Sequence, residues 1–270
     1  MLRPQAGPVK DSFKAPAYVR CVKRISIVVT IATALLAAVD LPPAPQGNHI
    51  YMHNQAGYRD NSGEFEKQDL GKAASLLDEA GWKLNGQFRA KDGKPLKVRL
   101  VIPSGVTQAD QESRLIQQQE RAAGIDVDIV TVPSGDFFQK YISPGDFDVC
   151  LFRWAGTPFP ISSAKSIYAK PKTGPDGKID LQQNYARIGS DDIDKLFDEA
   201  TQVFDPKQAA DLGNRIDSLI WQEVHSIPLY QRPQILGVRS TLANIGASGF
   251  KSTHIEDVGY VKGAAIPTKK

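Results

Sequence analysis

Trp154 is the residue best placed to do chemistry in this sequence, and that chemistry is contact rather than catalysis. Its indole offers a flat apolar face and one N–H donor, a combination suited to gripping varied ligands. It closes the run Phe147-Asp148-Val149-Cys150-Leu151-Phe152-Arg153-Trp154, with apolar residues on both faces as in an interior strand. Ala155-Gly156-Thr157-Pro158-Phe159-Pro160 follows at once, a stretch no regular element absorbs. An aromatic at the end of such a strand, beside an irregular loop, is expected to line a cleft. The competing reading makes it a plug at the sheet edge, and the residues alone leave the two even. Arg153 brings a positive charge beside it, suited to an anionic group or a core carboxylate.

The patterns that make and break bonds are missing. Gly246-Ala247-Ser248-Gly249 lacks the spacing of a nucleophile elbow. Gly174-Pro175-Asp176-Gly177-Lys178 is too short for a phosphate cradle and lacks the following Ser or Thr. His49 and His53 lie four apart, but in a Pro- and Gly-rich loop without supporting ligands at metal-site spacing. They read as loop histidines bonded to backbone or water, and His225 and His254 as structural or exposed. Asp191, Asp192, Asp194, Asp198 and Glu199 read as the polar face and N-terminal dipole complement of one helix. Cys21 and Cys150 make neither a disulfide framework nor a metal site.

The elements that must position Trp154 are well marked. Asp69 caps a helix whose apolar face is Leu70, Ala73, Ala74, Leu76, Leu77 and Ala80, and Gly81 stops it. Asn85-Gly86 and Asp92-Gly93 bracket a hairpin containing Phe88. Leu96, Val98, Leu100 and Ile102 alternate as in a half-buried strand. A helix from about Thr107 to Ala123 turns Leu115, Ile116, Ala122 and Ala123 inward, and Ile125 to Val132 is a second strand parallel to the first. Ser134 is expected to cap a short helix through Phe137, Phe138 and Tyr141. Gly156 to Tyr185 reads as a ligand-facing loop with one helical turn near Ser163 to Tyr168. Ser190 caps a helix with Ile193, Leu196, Phe197, Ala200, Val203 and Phe204 on one face, and Asp205-Pro206 starts another seated by Ile216, Leu219, Ile220 and Val224. Ser226 to Tyr230 reads as a short strand, followed by Gln234 to Val238, and Lys262 to Lys270 as a frayed end. Pro42 to Gly63 reads as a loop.

A chain of 270 residues can bury one large core or two modest ones. Its net charge of +3 is mild and its basic residues are interleaved with acidic ones, which argues against a nucleic-acid footprint. Ile25 to Val39 is the one segment suited to a membrane. Arg20, Lys23 and Arg24 before it give the charge pattern of a secretory signal, yet it is short for a span and lacks a clean cleavage triplet. Length and flanks favour a buried helix from about Ile31 to Val39.

Taken in order, the helix ending Leu76-Leu77-Asp78-Glu79-Ala80-Gly81-Trp82, the strand–helix–strand unit Leu96 to Val132 and the strand ending at Trp154 resemble the ligand-closing lobe of family 5 extracellular solute-binding proteins. The resemblance covers about Val19 to Phe250 and is strongest over Gly47 to Trp154 and Asn184 to Tyr230. It implies an α/β lobe of the periplasmic-binding-protein type II kind, a mixed sheet flanked by helices. The lobe would span residues 31–240, after a poorly matched segment 1–30 and before a tail, 241–270, that would return to a missing N-terminal lobe, so the chain is expected to be a truncated form. It implies capture of peptides or peptide-like solutes for the permease subunits of an ATP-binding-cassette importer outside the cytoplasm, with no cofactor, metal or catalytic residue. Trp154, Arg153 and Thr157 would meet the ligand. Peptide-binding members carry an Asp three residues beyond the aromatic for the ligand's α-amino group; Thr157 stands there and cannot form that ion pair. Two other classes stay open on the residues alone: a membrane-tethered interaction module anchored by Ile25 to Val39, and an α/β hydrolytic enzyme.

Overall fold

A computed structural model of the protein describes residues 45–232 and 236–264. Cys21, the Ile25 to Val39 segment, part of Gln234 to Val238 and most of the Lys262 to Lys270 end lie outside them. Among the described residues, Lys67–Leu151 form one compact unit, and residues 45–66 with 152–264 form a second.

The first unit begins with α1 (Leu70–Glu79), where the Asp69 carboxylate accepts the Lys72 N–H and Gly81 follows at φ +85°. Strands β1 (Lys83–Asn85), β2 (Phe88–Lys91) and β3 (Lys94–Pro95) make an antiparallel meander, so the expected hairpin is two hairpins in succession. Asp92 and Gly93 both take positive φ, as a tight primed turn between β2 and β3 requires. Arg89 ties the unit together from the middle of β2. It is buried and donates to Asp78 Oδ1 at 2.7 Å, to the Trp82 carbonyl at 2.8 Å and to the Ala123 carbonyl at 2.9 Å. The same guanidinium holds the Asp78 carboxyl below its ordinary pKa of 3.8.

A parallel sheet of three strands, in the order β5 (Asp126–Val132), β4 (Lys97–Pro103), β6 (Val149–Cys150), carries the main core, with β4 and β5 joined by α2 (Thr107–Ala122). Seven residue pairs, Lys97↔Asp126 to Pro103↔Val132, fix the β4–β5 register. Leu96, Val98, Leu100 and Ile102 pack with Ala73, Leu77, Ala109, Ile125 and Val127. Val101 is also fully buried, so β4 is the interior strand, covered on both faces at its centre.

That placement corrects the expectation for Phe147 to Trp154. Only Val149–Cys150 form β6, an edge strand paired with Leu100 and Val101. Two register steps later the partner is Pro103, which has no N–H to extend the ladder, and the chain leaves the sheet. Two smaller corrections concern helix faces. Ala122 is exposed, and Ser113 and Glu120 share the inner face of α2 with Ala109. Ser134 does not cap the following π-helical turn, Phe137–Ile142; its hydroxyl donates to the Ser104 carbonyl instead.

In the second unit, α3 (Pro160–Tyr168) and the hairpin β7 (Lys172–Thr173) with β8 (Ile179–Asp180) occupy much of the stretch expected to be loop. Pro160 is why the sequence misled: its fixed φ and missing N–H suit the first turn of a helix as well as a loop. Helix α4 (Asp191–Ala200) is capped by Ser190, and α5 (Pro206–Gln222) by Asp205, whose carboxylate accepts the Gln208 N–H at 2.7 Å. Ile193, Leu196, Phe197, Leu212, Ile216 and Ile220 form their shared core. Phe204 is not on that face. It lies beyond the end of α4, where the helical period no longer applies, and is fully exposed. Among the described residues, Ser226 to Tyr230 makes one bridge, Tyr230 to Pro45, in place of a strand. Strands β9 (Leu242–Ala243) and β10 (Gly259–Tyr260) pair antiparallel in residues 236–264, where no described residue is buried.

Tyr51 is held between two glycines. Ideal Cβ atoms on Gly57 and on Gly213, the latter inside α5, would stand 2.5 and 2.8 Å from its ring. Burial pushes its hydroxyl up to about 12. Gly213→Ala should gain about 1 kcal/mol in helix propensity and lose about 1–3 kcal/mol to overpacking against this ring. The expected net result is a lower urea midpoint; an increase would show that Tyr51 yields freely.

Candidate functional site

After β6 the chain runs through Leu151 to Thr157 without regular structure. Trp154 is 39% exposed, so it is not a core plug. Its indole stacks on Tyr185 with ring planes 2° apart and centroids at 6.2 Å, and Phe152 meets both rings edge-on at 5.3 and 6.0 Å. Tyr185 thus stiffens one side of the indole and leaves part of its surface to solvent. The main-chain groups of Arg153, Trp154 and Ala155 make no backbone hydrogen bond among the described residues. The segment therefore offers an aromatic platform and an open polypeptide edge together.

Sequence reasoning named three residues here, and the structure gives them different roles. Phe152 and Trp154 share a side, as residues two apart do in an extended chain, which turns Arg153 the other way. Arg153 is exposed, without an ion pair or a contact to the Trp154 ring among the described residues. Thr157 is occupied by the fold. Its Oγ1 lies 2.7 Å from Ser163 Oγ and accepts the Phe159 N–H, and its carbonyl accepts Gln55 Nε2 at 2.8 Å. Thr157 anchors the loop to the start of α3 and to residues 52–55.

The other candidates resolve as structural. Lys165, Lys170 and Lys172 pair with Asp198, Asp191 and Asp194, so the acidic face of α4 is matched by cations from neighbouring elements. His53 stacks on Tyr58 at 4.1 Å, and His225 Nε2 lies 2.9 Å from Asn184 Oδ1. Among the described residues no three His, Cys, Asp or Glu side chains cluster as a metal site.

A buried polar network was missed. His49 Nδ1 lies 2.7 Å from Asp217 Oδ1, which also accepts the His49 main-chain N–H, and Asn61 donates to Asp217 Oδ2. Asn48 accepts from Ile50 and Tyr51 and donates to Arg59 and to Asn214 Oδ1, so all four of its hydrogen-bonding sites are used. Burial raises the Tyr168 hydroxyl, whose ring packs edge-on against His49 and His225. The network pins residues 46–61 to α5. The available signal was Asn214 and Asp217, three apart and in register with the apolar face Leu212, Ile216 and Ile220.

Comparison with known proteins places the fold. The model of the bacterial extracellular solute-binding proteins, family 5 middle region, matches residues 34–175, just over half of the chain. The chain belongs to this family. Its α/β fold agrees with that membership. The oligopeptide-binding protein OppA of Mycobacterium bovis is 34% identical over 233 residues, which cover 86% of this chain and 38% of that protein. Among solved structures, the periplasmic EDTA-binding protein EppA aligns at a TM-score of 0.70 and 26% identity over 82% of this chain and 41% of EppA. The oligopeptide-binding protein AppA from Bacillus subtilis, in complex with a nonapeptide, aligns at 0.74 and 20% identity over 90% of this chain and 48% of AppA. The chain spans less than half the length of each of these relatives.

Proposed function

We propose that this family 5 chain captures a peptide or peptide-like solute outside the cytoplasm, in the periplasm or at the outer face of the cell membrane, for the permease subunits of an ATP-binding-cassette importer. Residues 31–240 serve as the solute-binding lobe, and 241–270 return toward the part of the fold that lies outside these residues. The exposed Trp154–Tyr185 stack beside an unpaired main chain carries the reading. An extended peptide can add to such an edge through its own N–H and C=O groups while a side chain lies on the indole. Arg153, on the opposite side, suits an anionic group of the ligand. Thr157 acts by holding the loop and supplies no charge for an α-amino group.

Titration calorimetry with a pentapeptide of alanines around a central phenylalanine tests the reading. The 270-residue chain spans a minority of its relatives' length, so one wall of contacts is expected to give a Kd between about 10 μM and 1 mM. Absence of saturable heat at several millimolar peptide would remove the proposal. A Kd in the nanomolar range would overturn the single-wall picture.

A further inference from the structure

Two residues beyond Trp154 the chain has a glycine whose missing side chain is replaced by another segment. An ideal Cβ on Gly156 would lie 2.5 Å from Cε1 and 3.0 Å from Cδ1 of Phe250, and 3.2 Å from Cγ of Met52. These distances are well inside van der Waals contact, so the Phe250 ring and the Met52 chain occupy the space over Gly156. In an extended chain, alternate residues share a side about 7 Å apart. The edge contact between Phe152 and Trp154 fits that alternation, and it puts position 156 on the aromatic side as well. Continued through Gly156, that alternation puts Phe250 and Met52 on the side of the loop that carries the Trp154 indole.

Phe250 is only half-buried, in a segment where no described residue is buried, so its ring does not belong to a core. Met52 is likewise half-buried and is held in register with the loop. Its N–H donates to Gln55 Oε1 at 2.9 Å, and Gln55 Nε2 donates to the Thr157 carbonyl at 2.8 Å. One glutamine thereby fixes Met52 relative to the main chain that carries Trp154. Two large apolar side chains from opposite ends of the described residues meet over a bare glycine two residues beyond Trp154. The indole is rigid, and the thioether adapts its shape to what lies against it.

We propose that Phe250, with Met52, forms the apolar wall of a subsite beside Trp154 that selects ligands carrying a large apolar side chain. The inference rests on the peptide-capture reading and adds its side-chain preference. Trp154 supplies the platform, Gly156 lets the wall approach the main chain, and Phe250 sets how much apolar side chain the subsite accepts. A ligand side chain that lies between indole and phenyl ring loses apolar surface to water on both sides; a glycine at that position loses none.

The test compares two pentapeptides, alanines around a central phenylalanine and alanines around a central glycine, on the 270-residue chain and on Phe250→Ala and Phe250→Leu. Phe250→Ala is expected to weaken the phenylalanine peptide about 10-fold and to change the glycine peptide less than about 2-fold. Phe250→Leu should keep most of the preference. Gly156→Ala, whose methyl would strike the ring at 2.5 Å, should lose the preference as Phe250→Ala does. Equal weakening of both peptides, or no change in either, overturns the subsite. Failure of the parent chain to bind either peptide is a different result, and it removes peptide capture itself. Urea midpoints close to the parent's are expected for both Phe250 variants, because the ring lies outside the core.

Discussion

Asp217→Ala should cost the unit that contains it about 3–5 kcal/mol. The Asp217 side chain is fully buried and accepts three hydrogen bonds, from the His49 main chain, the His49 ring and Asn61, each at 2.7 Å. Alanine removes the acceptor and leaves the His49 main-chain and ring donors without one in a buried site, while Asn61 keeps Asn214 Oδ1. The cost is the desolvation of the orphaned groups and not merely the lost attraction. Asp217→Asn keeps the shape but turns an NH2 toward a donor, so about 1–3 kcal/mol is expected. The Trp221 ring, 4.7 Å from His49, provides a fluorescence reporter of the same region during urea unfolding. A loss under 1 kcal/mol for the alanine variant would mean that solvent or a rearranged Asn61 replaces the carboxylate.

The hydrogen-bond network behind that expectation marks the limit of what the sequence made legible. Most signals that act within a few residues were read correctly: Asp69, Ser190 and Asp205 cap the helices they were expected to cap, and Gly81 and Gly124 take the positive φ of helix ends, whereas Ser134, Pro160 and Phe204 were misread. The β4–α2–β5 unit also followed from its alternating strands and the helix between them. What failed depends on partners far along the chain. Punctuation by Pro, Gly and Asn correctly denies regular structure over residues 46–62, but it cannot reveal that Asn48 bonds Asn214, 166 residues away, or that Gln46 to Tyr51 are buried. Periodicity gave Phe147 to Trp154 an interior position because apolar residues on both faces look the same whether the cover is a sheet neighbour or a loop. The strand that Pro103 cuts short cannot be recognised until its partner is known. Trp154 was identifiable from residue type and context, whereas Tyr185 beneath it and Phe250 beside Gly156 come from segments no local rule connects to it.

The second large effect is on binding. Trp154→Ala is expected to weaken capture of the phenylalanine-centred pentapeptide about 10- to 100-fold while changing stability by less than about 1 kcal/mol. The asymmetry follows from where the indole stands. At 39% exposure it stands outside both apolar cores, and Tyr185 and Phe152 can still close on each other at 6.0 Å once it is gone. To a ligand it offers a rigid flat surface with few torsions to freeze, which is why tryptophan truncations dominate binding losses elsewhere. Trp154→Phe separates the two parts of that surface, since it keeps a flat apolar face and loses the indole N–H. An intermediate loss is expected. Tyr185→Ala should also weaken binding, by less than Trp154→Ala, because it removes the support that the 2° stacking gives the indole. Calorimetry and urea unfolding on the same preparations separate binding from folding. Should Trp154→Ala bind the peptide as tightly as its parent, the ligand surface lies elsewhere on the chain, and the stack with Tyr185 is a feature of folding alone.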